Sequence, residues 1–211
     1  MPDDIRPDVP RKVLITGFGP FPGVPRNISG EVAFNCAEIW TRDLLDRFTV
    51  EAHVLPTAWQ HAPQRVRACL RASQPDIAMH LGVSARATGI VLERTARNAC
   101  DGRVDEAGHA QPEGALDPSA PGSLETRAPV LAMRDALVRQ GFSATVSDDA
   151  GRYLCNAIYH ESLTRSRETG APRHALFIHL PVTLADVGMR AEDLGRALTT
   201  VVTMLDEHLA R

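Results

Sequence analysis

The sequence predicts an α/β fold, a three-layer α/β/α sandwich around a mostly parallel twisted sheet. Three observations support this: short apolar segments alternate with amphipathic helical ones, the apolar segments lack a polar alternation, and Gly- and Pro-rich turns separate them. A strand buried on both faces reads as continuous apolar sequence, which is what a parallel sheet covered by helices requires. The 211 residues are within reach of one domain, and no Pro/Gly/Ser-rich linker divides residues 1–211, so a single α/β domain is expected, with residues 1–10 as a loose polar lead-in.

The elements follow in order. Lys12–Thr16 reads as a strand that runs into the turn GFGPFPG. Ser29 is placed to cap a helix with Ala33, Cys36, Ala37, Trp40 and Leu44 on one face. Val50–Leu55 is a second strand, and Ala62, Val66, Cys69 and Leu70 mark a second helix. Asp76–Val83 and Ile90–Thr95 are the third and fourth strands. A polar stretch from 98 to 125 is too long for an ordinary connector. Val130, Leu131, Leu137 and Val138 define a third helix that stops at Gly141. Then come a strand at Ala144–Ser147, a helix starting near 149–152, the apolar strand Ala175–Leu180 and a last helix carrying Leu194 to Leu209.

Composition excludes several classes. A net charge of −3, with Lys12 the one lysine and the arginines scattered among acids, argues against a nucleic-acid surface. No apolar run reaches the roughly 20 residues that span a bilayer, and no signal-peptide core is visible, so a cytoplasmic protein is expected. The four cysteines, at 36, 69, 100 and 155, form no C-x-x-C pair. Gly17 and Gly19 begin a G-x-G-x-x-G pattern, but Pro22 stands at its third glycine, and Pro20 and Pro22 lack the N–H groups of a phosphate cradle. His160-Glu161 begins H-E-x-x-H, but Thr164 takes the second histidine position, and Gly82–Arg86 ends in arginine where a nucleophile elbow needs glycine.

One constellation survives. Cys155, in SDDAGRYLCN, is expected in the first turn of a helix, where backbone N–H groups stabilise a thiolate and can hold an oxyanion. The competing reading is a core thiol on a face with Leu154, Ile158, Tyr159 and Ser162. Cys36 and Cys69 read as core residues, and nothing around Cys100 argues for a role. His179 ends an apolar strand, where its ring is costly unless paired; it is either a core histidine or the base facing Cys155. Glu93 interrupts the run Ile90-Val91-Leu92 and needs a partner, either Arg94 or Arg97, or the imidazole of His179 as the third member of a triad. All three are expected at one rim of the sheet, at strand carboxyl ends.

The blocks LITGFGPFPGVPRN, HLGVS…IVLERTARN, SDDAGRYLCN and FIHLP resemble the signature segments of the pyroglutamyl peptidase I family, in order and spacing, over almost the whole chain. The resemblance implies that family's α/β/α sandwich and a cysteine exopeptidase that removes N-terminal pyroglutamate from peptides. It places Glu93, Cys155 and His179 at the catalytic positions, and Phe18, Phe21, Asn27 and the backbone at Val83 in the substrate pocket. A dry aromatic slot suits a substrate whose amine is locked in a neutral lactam. No metal or cofactor is implied; the partners implied are pyroglutamyl peptides, with neither nucleic acid nor membrane, and homo-oligomer formation is left open. The sequence departs from the family pattern at Pro22 and Arg26-Asn27-Ile28, on the pocket rim, and matches it loosely from 99 to 121. Two alternatives remain at this stage: a cysteine amidohydrolase acting on another small amide or lactam, and a non-catalytic binding protein on the same fold.

Overall fold

In the computed structural model, which describes residues 9–21 and 23–210, six strands form the central sheet and two more form a separate ribbon. Residues 1–8 of the expected lead-in, and Pro22, lie outside the described residues. The chain runs β1 (Arg11–Phe18), α1 (Ile28–Asp43), β2 (Phe48–Leu55), α2 (Ala62–Ser73), β3 (Ile77–Ser84), β4 (Ile90–Glu93), β5 (Thr95–Arg97), β6 (Ser123–Glu125), α3 (Val130–Arg139), β7 (Ala144–Ser147), α4 (Leu154–Thr169), β8 (His174–Pro181) and α5 (Ala191–Leu209). The sheet order is β2-β1-β3-β8-β4-β7.

The apolar alternation read from the sequence maps onto these layers. One face of the sheet packs on α1, α3 and α5, through residues such as Ile15, Met79, Ile178, Trp40 and Leu198. The other packs on α2 and α4, through Leu14, Ala78, Phe177, Val66 and Ile158. Strand β8, at the centre, is buried at all eight positions, as a strand covered on both sides must be. Two polar devices lock the layers. Trp40 Nε1 donates to Thr199 Oγ1 at 2.8 Å, joining α1 to α5. His80 bridges Thr16 on β1 (2.8 Å) and Ser162 on α4 (2.6 Å); its complete burial pushes its pKa down to about 3, so it is a neutral tie.

Three local expectations are corrected. The segment expected to be one strand over 90–95 is two, because Arg94 turns the chain out of the sheet: its N–H still donates to Ser147 O, while its carbonyl accepts from Thr126 N–H. Strand β5 then pairs antiparallel with β6, so the 98–125 stretch is an excursion whose ends are pinned together. The cap of α1 is Asn27, whose Oδ1 accepts from Ser29 N–H at 3.1 Å and Ser29 Oγ–H at 2.7 Å; Ser29 Oγ in turn accepts from Phe18 N–H at 3.0 Å. Helix α4 starts at Leu154, later than the 149–152 expected, because Asp149 and Gly151 form a turn in which Gly151 takes a positive φ of 87° and Asp149 Oδ1 accepts its N–H.

The polarity of the sheet also matters. β1, β2, β3 and β8 are parallel, but β4 is antiparallel to β8, and β7 runs parallel to β4. Leu198 on α5 is fully buried; Leu198→Ala is expected to cost about 2–5 kcal/mol of unfolding free energy in urea titration, with the slope of the transition unchanged.

Candidate active site

The sequence-predicted residues line one cavity of about 1010 Å³ bounded by the ends of β1, β3, β4, β7 and β8 and the start of α4; Phe18, Phe21, Asn27, Val83, Glu93, Cys155 and His179 all contribute to its wall. β8 carries His179 two residues before its end, and the same sheet face carries Phe177, whose ring centroid lies 4.7 Å from the imidazole. The antiparallel register sets Val91 opposite His179 and Glu93 opposite Phe177. Glu93 therefore lies one pair back from the rim rather than on it, and its carboxylate reaches His179 diagonally: Oε1 and Nδ1 are 2.8 Å apart. Expectation had put all three side chains at strand carboxyl ends of a parallel sheet; the reversed direction of β4 is what sets the carboxylate behind the imidazole.

Both groups are nearly dry, with side-chain exposures of 11% for His179 and 3% for Glu93. The arginines that might have claimed Glu93 are engaged elsewhere: Arg94 pairs with Asp148 at 2.5 Å and Arg97 approaches Asp149 at 3.8 Å. Glu93 Oε2 has no hydrogen-bond partner among the described residues, while Tyr159 Oη donates to the Glu93 carbonyl at 2.8 Å and fixes the strand from the α4 side. Burial alone would push the His179 pKa down, but hydrogen bonding to Cys155 and to Glu93, with their negative charges, outweighs it and raises the pKa to about 9.

Cys155 is the second residue of α4 and half-buried. The N-cap residue Tyr153 makes no side-chain cap hydrogen bond, and Cys155 stands in the first turn, at the positive end of the helix dipole. A residue not singled out from the sequence makes room for it. Gly82 is directly opposite His179 in the β3–β8 register, and a Cβ there would lie 3.0 Å from Cys155 Sγ and 2.8 Å from Phe177 Cζ. The sulfur thus rests against bare backbone. The only signal available beforehand was the glycine itself, noticed for a motif it does not complete.

Among the expected pocket residues, Phe18 is buried and Phe21 half-buried, the latter in a tight bridge with Val24. Asn27 lines the wall, but its amide is engaged within the protein, donating to Gly19 O at 3.0 Å besides capping α1. The wall also contains Arg86, Arg103, Arg152 and Tyr153, which the sequence did not single out. Tyr153 stacks edge-on against Trp59, with centroids 5.3 Å apart, and Arg103 lies over its ring. The root of the 98–125 excursion is bound to α4: Asn156 accepts from Arg97 N–H at 2.8 Å and donates to Arg97 O and Ala99 O. Of the other thiols, Cys36 and Cys69 are buried on helix faces as expected, and Cys100 is buried with its sulfur directed at Pro112 O. Gly82→Ala must displace either the sulfur or the Phe177 ring; a fall of about tenfold or more in the rate of Cys155 alkylation by iodoacetamide is expected, with the unfolding transition retained.

The family profile described as pyroglutamyl peptidase matches residues 11–205. The pyrrolidone-carboxylate peptidase of Pyrococcus furiosus is 34% identical over 171 residues, 81% of this chain and 80% of that one. The pyroglutamyl-peptidase 1 of Rattus norvegicus is 30% identical over 201 residues, 92% of this chain and 89% of that one. A solved structure of pyrrolidone carboxyl peptidase from Fervidobacterium islandicum superposes with a TM-score of 0.83 at 30% identity, covering 93% of this chain and 99% of that one. The profile spans most of the chain and these relatives are at least 30% identical to it over the matched residues, so the chain belongs to the pyroglutamyl peptidase family.

Proposed function

We propose that the protein is a cysteine peptidase that removes N-terminal pyroglutamate from peptides, with Cys155 as nucleophile, His179 as base and acid, and Glu93 as the residue that orients His179. The observation that carries this reading is the row of three groups in one cavity: a sulfur beside an imidazole whose far nitrogen is held at 2.8 Å by a buried carboxylate. With Nδ1 bound to Glu93, Nε2 is the nitrogen left for the sulfur and the substrate.

The Cys155 thiolate attacks the pyroglutamyl carbonyl carbon, forming a C–S bond and pushing the π electrons onto oxygen. The N–H groups of the first turn of α4, the turn that carries Cys155, stabilise that oxyanion in this mechanism. As the intermediate collapses the C–N bond breaks, and the proton on His179 passes to the leaving amine. His179 then takes a proton from water, hydroxide attacks the thioester, and the sulfur leaves as thiolate with release of pyroglutamate. Phe18 and Phe21 supply an apolar wall for the pyrrolidone ring, and the end of β3 at Val83 supplies backbone groups for its lactam. The cavity is larger than one such ring, so the remainder is available to the following peptide. Among the described residues no helix is long and apolar enough to cross a membrane, and the proposal places the enzyme in the cytoplasm, acting from one α/β domain.

Turnover of a pyroglutamyl anilide tests the reading. Cys155→Ala is expected to lower kcat by about 10⁴-fold or more, and a prolyl anilide, which lacks the ring carbonyl, to be cleaved about 10⁴-fold less well than the pyroglutamyl one. Equal cleavage of the two would favour an enzyme for another amide.

The pH profile offers a second test. The His179 pKa is raised to about 9, so the charged imidazolium persists through neutral pH and is lost as pH rises through that value. The basic limb of kcat/KM is expected to fall with an apparent pKa near it. Glu93→Gln removes one of the charges that hold the proton, so the basic limb should move to lower pH while kcat falls by about 10²–10⁴-fold. An unmoved basic limb would count against the pairing.

A further inference from the structure

The edge strand β2 carries a second group of donor atoms, separated from β8 by β1 and β3. Glu51 and His53 are two residues apart and so project from the same face of β2. That face meets α2, which carries Cys69. A carboxylate oxygen of Glu51, a ring nitrogen of His53 and the sulfur of Cys69 lie within 4.8 Å of one another, and His53 Nε2 is 2.5 Å from Glu51 Oε1. None of the three lines the cavity that holds Cys155.

We propose that Glu51, His53 and Cys69 form a binding site for a borderline-soft divalent metal ion of the zinc type, which clips the edge strand to α2. Oxygen, nitrogen and sulfur donors converging on one point match zinc sites with three protein ligands and water in the fourth position. The sulfur selects against the hard cations magnesium and calcium. Around a tetrahedral ion with bonds of about 2.0–2.3 Å the donors stand roughly 3.3–3.8 Å apart. The carboxylate must therefore move off the imidazole by about 1 Å, which the Glu51 side chain, 46% exposed, is free to do. The same exposure gives the ion a way in, while the buried sulfur forms the inner wall. On binding, the Cys69 thiol proton leaves to solvent and a metal–sulfur bond replaces it, so carboxylate and thiolate together balance the dipositive ion. Burial, with the Glu51 charge adding to it, holds the Cys69 thiol above its ordinary range, and Arg65 on the same helix opposes that shift.

The test uses Cys155→Ala protein, so that the reactive thiol of the cavity takes no metal. Cobalt(II) titration should show one ion per chain, with a thiolate-to-cobalt charge-transfer band in the near ultraviolet and visible bands of four-coordinate intensity. Cys69→Ser in this background should abolish the charge-transfer band, and His53→Ala should weaken binding by about tenfold or more. Zinc should displace the cobalt and raise Tm in the Cys155→Ala protein but not in the Cys69→Ser double variant. Absence of the band on the Cys155→Ala protein overturns the proposal, as does a band that survives Cys69→Ser. Where circular dichroism shows that Cys69→Ser has not folded, His53→Ala decides: unchanged cobalt affinity overturns the site.

Discussion

The hydrogen bond between Glu93 and His179 is the interaction around which the cavity is organised. It joins a carboxylate and an imidazole that are both nearly excluded from water, and each would be costly there without the other. Its geometry is a product of sheet topology. Because β4 enters against β8, a residue two positions along β4 from the pair Val91–His179 lies behind the imidazole, not beside it. A parallel neighbour in the same place would carry its chain outward with β8. The reversed strand thus supplies an inward carboxylate, and the parallel neighbour on the other side, β3, supplies the bare backbone of Gly82 on which the sulfur rests.

The rest of the architecture holds these few atoms still. Tyr159 and Asn156, both on α4, reach back to the Glu93 carbonyl and to the segment 97–99. The helix that presents Cys155 is therefore tied to the strand that presents Glu93 and to the excursion that follows it. His80, kept neutral by burial, ties the same helix to β1 and β3 through Ser162 and Thr16. Such bonds inside a dry core contribute modestly to net stability, but removing one partner leaves a buried group unsatisfied. They act chiefly by excluding alternative placements of α4.

Much of this was legible in the residues. Strands with no polar alternation and helices with a 3.6 period specify the layers; His179 and Glu93 stand out as polar groups in apolar runs, and Cys155 as a thiol placed at the start of a helix. Strand direction was not legible, since a buried apolar run such as Ile90-Val91-Leu92 reads the same whichever way its neighbour runs. Helix α4 starts later than the 149–152 expected because Asp149 and Gly151 are taken up by a separate turn. The cap of α1 is Asn27, two residues before the expected Ser29, a difference that the bond from Ser29 N–H reveals. Gly82 stands out only as the start of a motif it does not complete, because a glycine required for close approach between a strand and a side chain from a distant helix leaves no local pattern.

The contact at Gly82 also has a stereochemical consequence. The backbone of Gly82 closes one side of the sulfur, which lines the cavity from the first turn of α4. On the proposed mechanism, a carbonyl carbon then meets the sulfur from the cavity side alone, and an aldehyde analogue of the substrate is expected to form a hemithioacetal of one handedness, set by the backbone of β3.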